Sequence, residues 1–201
     1  MKLKLITLIA ASTFMQCHKP CNESDHQFSI NSNFLPEKDS MNVGDTLILT
    51  CVTSKIMYDE ATNTDINFRN AQNFGSALVI SDVSKFLSAK RGAVDSFNFI
   101  LVMGEIYTDS NLDPNGTKQL KFSETNNNYE LKANIIPMRK GVYIFSIGDN
   151  PSVFIQGKGK CGKASIEILN NNTNKHLYLF ENSLGQLSVF HKKHSYCLKV
   201  Y

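Results

Sequence analysis

Apolar and polar residues alternate along much of this chain with a period of two, which is typical of β-strands. In residues 44–55 the alternation places one set of side chains on a single face, namely Leu47, Leu49 and Cys51. Residues 96–107 are apolar on both faces at their centre. Because strands buried on both faces are nearly continuously apolar, this stretch predicts an internal strand.

Asparagine clusters separate further apolar stretches. Asn126 to Asn128 lie between residues 118–123 and 129–136, and asparagine tolerates the left-handed backbone of tight turns, so the pattern predicts a hairpin. Four more short strands are predicted at residues 142–147, 152–156, 164–169 and 196–201. Short strands at turn-marked spacing predict a mainly β protein built as an antiparallel β-sandwich.

Two stretches have helical spacing instead. Residues 81–92 offer an N-cap, apolar residues at helical intervals and Gly92 as a stop, which predicts a short helix over one end of the sandwich. In residues 174–191, apolar residues fall at steps of three and four: Leu177, Phe180, Leu184 and Leu187. This spacing favours a second helix, although residues 177–180 would serve equally as a strand and Gly185 lies inside the stretch.

The chain begins with the layout of a secretory signal. Lys2 and Lys4 precede an almost uninterrupted apolar run over residues 5–15. The run is too short to cross a bilayer, which takes roughly 20 apolar residues. We therefore expect residues 1–16 to be a cleaved signal peptide, and Ala10, Ala11 and Ser12 offer one ordinary cleavage site.

Phe14, Met15, Gln16 and Cys17 follow that run and resemble the lipobox of bacterial lipoprotein signals. The family pattern has leucine where Phe14 stands and a small residue where Gln16 stands. The resemblance implies that Cys17 is lipidated and that the protein is anchored to a membrane of the bacterial cell envelope; otherwise it is secreted or periplasmic. Residues 17–42 are mostly polar and are predicted to be a flexible tether, with a first edge strand near Phe34 and Leu35 as a possible end to it.

Residues 43–201 then form one predicted β-sandwich domain, with a C-terminal extension from about residue 158. The number of cysteines is odd, which calls for an explanation in an exported protein. Lipidation of Cys17 would leave four, and an oxidising compartment favours at least one bridge. We predict a disulfide between Cys161 and Cys197, since both lie near strand ends in the C-terminal part.

Residues 41–157 resemble immunoglobulin-like modules. An early strand carries Cys51, and a later strand has Gly141 and Tyr143 in a glycine, any residue, tyrosine pattern. The second family cysteine is replaced by Phe145, and tryptophan is absent from the sequence. The resemblance implies an immunoglobulin-like sandwich and brings no catalytic residues with it.

Charge excludes one class of partner. The formal net charge is +3, and loss of Lys2 and Lys4 with the signal lowers it to about +1. Nucleic-acid binding rests on a concentrated basic footprint, so we expect no nucleic-acid partner.

Candidate metal chemistry is sparse. Oxygen ligands alternate at Asp109, Asn111, Asp113 and Asn115 as in a calcium loop, but Pro114 stands where such a loop needs glycine. Residues 113–116 fit a β-turn better. His191, His194 and Cys197 have a spacing that zinc could use, against the simpler interpretation of a solvated basic stretch. We predict neither a metal nor a cofactor.

Hydrolase and nucleotide-binding motifs are absent from the sequence. We therefore expect a non-catalytic binding or structural module of the cell envelope, whose partner is another envelope protein, a peptide or a glycan. The alternative is an exported hydrolase whose acids are assembled from distant segments, which sequence alone does not reveal.

Overall fold

The computed structural model describes residues 26–201 except residues 73, 90, 110, 111, 149, 158 and 159, and only the backbone of residues 150–157 and 160–163. The predicted signal peptide and Cys17 lie outside the described residues. Within them, no helix has the length and apolar character needed to cross a membrane.

Sixteen strands form in the described part of the chain. In chain order they are β1 (His26–Leu35), β2 (Ser40–Met41), β3 (Leu47–Ser54), β4 (Ile56–Asp59), β5 (Thr64–Asn67), β6 (Ala71–Gln72), β7 (Gly75–Asp82), β8 (Phe97–Met103), β9 (Glu105–Tyr107), β10 (Thr117–Lys121), β11 (Ser123–Glu124), β12 (Asn128–Pro137), β13 (Gly141–Ile147), β14 (Asn150–Gly157), β15 (Lys160–Asn170) and β16 (Ser195–Val200).

These strands confirm the predicted β-sandwich. Sheet A has the order β11-β12-β3-β1-β15-β14-β6, with β8 also paired to β12, and sheet B has the order β2-β16-β13-β7-β10-β9. Side chains of both sheets share one buried core, for example Leu49 of sheet A and Ile80 of sheet B. The sheets are not purely antiparallel, because β1 pairs with β15 and β2 with β16 in parallel.

Strand β1 corrects the predicted tether. Residues 17–42 were expected to be flexible, but from His26 to Leu35 the chain forms a central strand between β3 and β15. Phe28, Ile30 and Phe34 are buried on its inner face. The alternation with polar residues is that of a strand with one face on the core, so the polar residues 27, 29 and 31 belong to its outer face rather than to a linker.

The predicted hairpin is mostly wrong. Strand β10 pairs with β7 and β9 in sheet B, whereas β12 lies in sheet A. Only the two residues of β11 pair with β12 across the asparagine turn. The chain passes from one sheet to the other between β10 and β11, and alternation alone does not reveal such a crossing, since both strands bury one face in the same core.

The helical predictions are confirmed in part. Residues 81–92 contain one 3₁₀ turn, Val83–Lys85, capped by the Asp82 side chain, rather than an α-helix. The second stretch forms two short helices, α1 (Tyr178–Leu184) and α2 (Val189–His194). They are separated at Gly185, whose φ of +87° lies in the left-handed region that favours glycine.

The C-terminal part is not an extension of the sandwich. Strand β15 lies between β1 and β14 in sheet A, and β16 lies between β2 and β13 in sheet B. Residues after about 158 therefore supply an inner strand to each sheet.

Tyr143 bears out one local feature of the immunoglobulin resemblance. Its hydroxyl donates to the carbonyl oxygens of Arg139, 3.1 Å away, and Lys140, 3.2 Å away. A tyrosine that hydrogen-bonds back to the backbone a few residues upstream is the tyrosine corner of such sandwiches.

Candidate functional site

Strand β8 is an edge strand, not the internal strand that its sequence predicts. It pairs along one side with β12, and no other described strand pairs with it. The exposed fractions of four consecutive apolar side chains are 48% for Ile100, 41% for Leu101, 52% for Val102 and 37% for Met103. A long apolar edge with unpaired backbone groups is a template for another strand, so this is the first candidate for a binding site.

Register with β12 defines the two faces of β8. Phe97, Phe99 and Leu101 lie opposite inward-facing residues of β12, whereas Asn98 and Ile100 lie opposite outward-facing ones. The register shifts between Lys132 and Ala133 of β12, which places a bulge at the end of β8. The regular part of the strand therefore runs over residues 97–101.

Gly104 ends β8 and carries the chain to β9 in sheet B. Its φ is +94°, and a Cβ atom there would lie 2.6 Å from the carbonyl oxygen of Lys121. Both the backbone angle and the close approach require glycine at this position. Strands β8 and β9 thus continue one another along the same side of the sandwich, first as the edge of sheet A and then as the edge of sheet B.

A cleft of about 430 Å³ lies under the inner face of β8. Its apolar lining includes Phe97, Phe99, Leu101 and Ile106. Two charged residues also line it. Asp95 pairs with Arg139 at 3.1 Å, and the Lys118 ammonium donates to the Thr108 hydroxyl at 2.7 Å. A cleft of mixed polar and apolar lining beside an open strand edge can receive alternate side chains of an added strand.

The outer face of sheet A extends the apolar surface inward from the edge. Across the sheet, Ile100 lies opposite Asn134 of β12, which lies opposite Ile48 of β3, which in turn lies opposite Leu35 of β1. Leu35 is 43% exposed. Three of the four residues in this row are apolar, so a strand added at β8 would lie beside an apolar row rather than a charged one.

The residues weighed as calcium ligands form turn hydrogen bonds where they are described, as the preferred β-turn interpretation of residues 113–116 predicts. The Asp113 carboxylate accepts the backbone N–H of Asn115 at 3.0 Å, and the Asp113 carbonyl accepts those of Gly116 and Thr117. The Asp109 carbonyl accepts the Leu112 N–H, and Asn111 lies outside the described residues. No group of three or more metal-binding side chains occurs in the part of the chain that the structure describes.

The predicted disulfide is not present in this structure. Cys197 is a free, buried thiol that packs with Ile144 and Phe180. Burial raises its pKa to about 12, so it is an unreactive core residue. Asn170, at the far end of β15 from Cys161, donates to the Ser195 carbonyl. Nine strand residues span about 30 Å, which places the Cys161 backbone too far from Cys197 for a bridge.

The C-terminal histidines are likewise not a metal site with Cys197. His194 Nε2 lies 3.1 Å from the Glu167 carboxylate, and His191 Nδ1 lies 3.5 Å from the Ser195 hydroxyl. Cys197 instead packs in a separate apolar cluster.

Two carboxylates from distant segments do converge. The Ser29 hydroxyl lies 2.6 Å from Glu60 Oε1 and 3.5 Å from Glu167 Oε2. Glu60 lies in the turn between β4 and β5 and is exposed, whereas Glu167 lies on β15 of sheet A with its side chain 34% exposed. An acid pair open to water lacks the walls that hold a substrate and raise the pKa of a general acid, so it does not favour the hydrolase alternative.

The Asp59 carboxylate accepts four hydrogen bonds and has a structural role. Its side chain is fully buried and accepts hydrogen bonds from Gln27 N–H at 2.8 Å, Ala61 N–H at 3.1 Å, the Thr62 hydroxyl at 2.7 Å and His26 Nδ1 at 2.7 Å. Burial by itself would raise the pKa of Asp59, but these donors together hold it well below its ordinary value. These hydrogen bonds attach the β4–β5 hairpin to the start of β1.

The sequence matches no protein-family model and no curated protein. Among solved structures, the human F-spondin reeler domain aligns with a TM-score of 0.34 and 11% identity, over 77% of this chain and 93% of that one. The cohesin module of a Clostridium perfringens family 33 glycoside hydrolase aligns with a TM-score of 0.31 and 10% identity, over 70% of this chain and 97% of that one. A type I cohesin from Pseudobacteroides cellulosolvens aligns with a TM-score of 0.30 and 10% identity, over 73% and 95%.

Proposed function

We propose that this chain is a non-catalytic binding module that takes up an extended polypeptide segment along the open edge of β8. One observation carries the proposal: β8 is a seven-residue edge strand without a charged residue, and four consecutive side chains are 37–52% exposed. Natural proteins usually protect such edges with charges, proline or short strands. An edge left open in this way is suited to pairing with a partner.

The exposed backbone and apolar side chains of β8 favour a polypeptide as the partner. An added strand makes main-chain hydrogen bonds with β8, and its alternate side chains enter the cleft under Phe99 and Leu101. Of the partners expected from sequence, a polypeptide fits this surface better than a glycan, because a glycan requires a dense set of polar side chains and β8 offers only Asn98.

In this proposal the module is exported and held at the cell envelope by a lipid on Cys17. Support comes from the signal-like residues 1–16 and from the lipobox resemblance. Eight residues separate Cys17 from His26, where β1 begins. Fully extended, they reach about 30 Å, so the sandwich would work close to the membrane surface. The intact mass of the protein from membranes tests this part: the mass of residues 17–201 plus acyl chains is expected, and the mass of a chain without acyl groups would contradict it.

Selection of peptides from a random library displayed on phage tests binding at β8. The wild-type chain is compared with Ile100→Lys, which puts a charge on the edge strand, and with Val52→Lys as the matched control. Val52 is 58% exposed on the same face of sheet A, but it lies on the inner strand β3.

We expect wild type and V52K to enrich the same family of uncharged peptides with alternating apolar residues, and I100K to bind them at least tenfold more weakly. Equal binding to all three proteins would place the site elsewhere and contradict the proposal.

A further inference from the structure

We infer that the strand which occupies the β8 edge is β8 of a second copy of this chain, paired antiparallel about a two-fold axis. The inference rests on the proposed function, since it names the partner of the same edge. A two-fold interface uses the same surface on both subunits, so the edge must be complementary to itself.

The other sheet edges show that β8 is exceptional. At the ends of sheets A and B in the described residues, β2, β6 and β11 have two residues each and β9 has three, and β4 and β5 of the separate two-stranded sheet have four each. Short edges offer little to a second strand. Strand β8 has seven residues and the continuous apolar run Phe99–Met103. It is therefore the longest of these terminal strands, and its regular part, residues 97–101, is the length over which two copies can pair.

Charge does not oppose self-pairing. Like charges placed opposite one another destabilise a strand pair, and β8 contains no charged residue. Glu105, the first charge along the edge, follows the bulge and Gly104. Two copies of the regular strand can therefore meet without bringing like charges together.

The two faces of β8 and the length of its regular part leave few possible registers for pairing between the two copies. Residues directly opposite each other in a strand pair have their side chains on the same face of the sheet. A two-fold axis between two residues would pair inner-face residues of one copy with outer-face residues of the other. The axis must therefore lie where one residue of β8 is opposite the same residue of the second copy. The regular strand, residues 97–101, lies between the 3₁₀ turn Val94–Ser96 and the bulge, and its central residue is Phe99.

Pairing about Phe99 places aromatic and aliphatic side chains opposite one another on the cleft side. Phe99 lies opposite Phe99 of the second copy, and Phe97 lies opposite Leu101 on the cleft side. On the outer face, Asn98 lies opposite Ile100. Aromatic and aliphatic cross-strand pairs stabilise sheets. The second copy also covers Leu101, which is 41% exposed in the single chain, and closes the open side of the cleft.

Sedimentation equilibrium of the purified full chain tests the inference, with the same two variants. We expect wild type and V52K to form dimers with equal dissociation constants and I100K to dissociate at least tenfold more readily. Circular dichroism should show the same fold for all three, because both replaced side chains are about half exposed. Three monomers, or three equal dimers, would overturn the inference, and so would loss of the dimer in V52K.

Amide hydrogen exchange of wild type alone gives a second readout that needs no variant. Protection of residues 97–101 should rise with protein concentration, and protection confined to other segments would overturn the inference. The peptide selection separates the two proposals. If wild type is monomeric and I100K still binds the selected peptides more weakly, the dimer is refuted and the proposed addition of a peptide strand is not. Binding that is insensitive to Ile100 refutes the proposed function instead.

Discussion

Replacing Asp59 with alanine is expected to lower the free energy of unfolding by about 3–5 kcal/mol, measured by chemical denaturation at neutral pH. The carboxylate is fully buried and accepts four hydrogen bonds. Without it, the N–H groups of Gln27 and Ala61 lose their acceptor, and the start of β1 loses its attachment to the β4–β5 hairpin. Each buried donor left unsatisfied costs about 1–3 kcal/mol.

Asp59→Asn is the matched control, because its amide oxygen can still accept from the two N–H groups while its charge is gone. We expect a smaller loss than for D59A. Since the folded pKa of Asp59 is depressed, the ionised group stabilises the fold above its unfolded pKa of about 3.9. That stabilisation is lost as the pH falls below this value towards the folded pKa.

The stability difference between wild type and D59N should therefore shrink on acidification below about pH 4. A difference that stays constant between neutral and acid pH would contradict the role assigned to the carboxylate.

Replacing Asn172 with leucine, of similar size, is expected to cost about 2–5 kcal/mol. The Asn172 side chain is 3% exposed and acts in place of a strand residue, because its Oδ1 accepts the Phe34 N–H and its Nδ2 donates to the Phe34 carbonyl, both at 2.7 Å. Pairing of β1 with β15 ends two residues earlier, at Ser32 and Asn170. Leucine would leave both backbone groups of Phe34 buried without partners.

Asn171→Leu is the control for this prediction, because the Asn171 side chain is exposed while its backbone N–H donates to the Ser32 carbonyl. We expect its free energy of unfolding to stay within about 0.5 kcal/mol of wild type. Urea denaturation compares the three proteins, and equal losses for N171L and N172L would show that the side-chain amide of Asn172 does not complete β1.

Alternation of apolar and polar residues predicts the sandwich well for strands that have one face buried and the other exposed to solvent. Strand β3 has the predicted faces, with Leu47, Leu49 and Cys51 buried. Strand β1 has the same pattern, with Phe28, Ile30 and Phe34 on one face. The residues around it in sequence are so polar that their composition predicts a tether, whereas the alternation predicts a strand. The buried role of Asn172 had no local signal, since an asparagine in a turn and one that completes a strand look alike in sequence.

The binding site at β8 could not be predicted because the apolar run in its sequence is consistent with two kinds of strand. An apolar run such as Phe99–Met103 is typical both of a strand buried inside a sheet and of an edge that awaits a partner. Only pairing of β8 with β12 on a single side distinguishes them. The disulfide prediction rested on the position of both cysteines near strand ends in the C-terminal part, whereas Cys197 and Cys161 are separated by most of the length of β15.

Amide hydrogen exchange of β8, with and without a peptide recovered from the selection, tests strand addition most directly. The protein is kept dilute so that self-association does not compete. We predict slower exchange at alternate amides of Phe97–Met103 on peptide binding, since alternate residues of an edge strand donate to an added strand. Strand β3 should be unaffected. Protection that arises in the α1–α2 region or the loops, with β8 unchanged, would contradict the central claim that the β8 edge is the binding site.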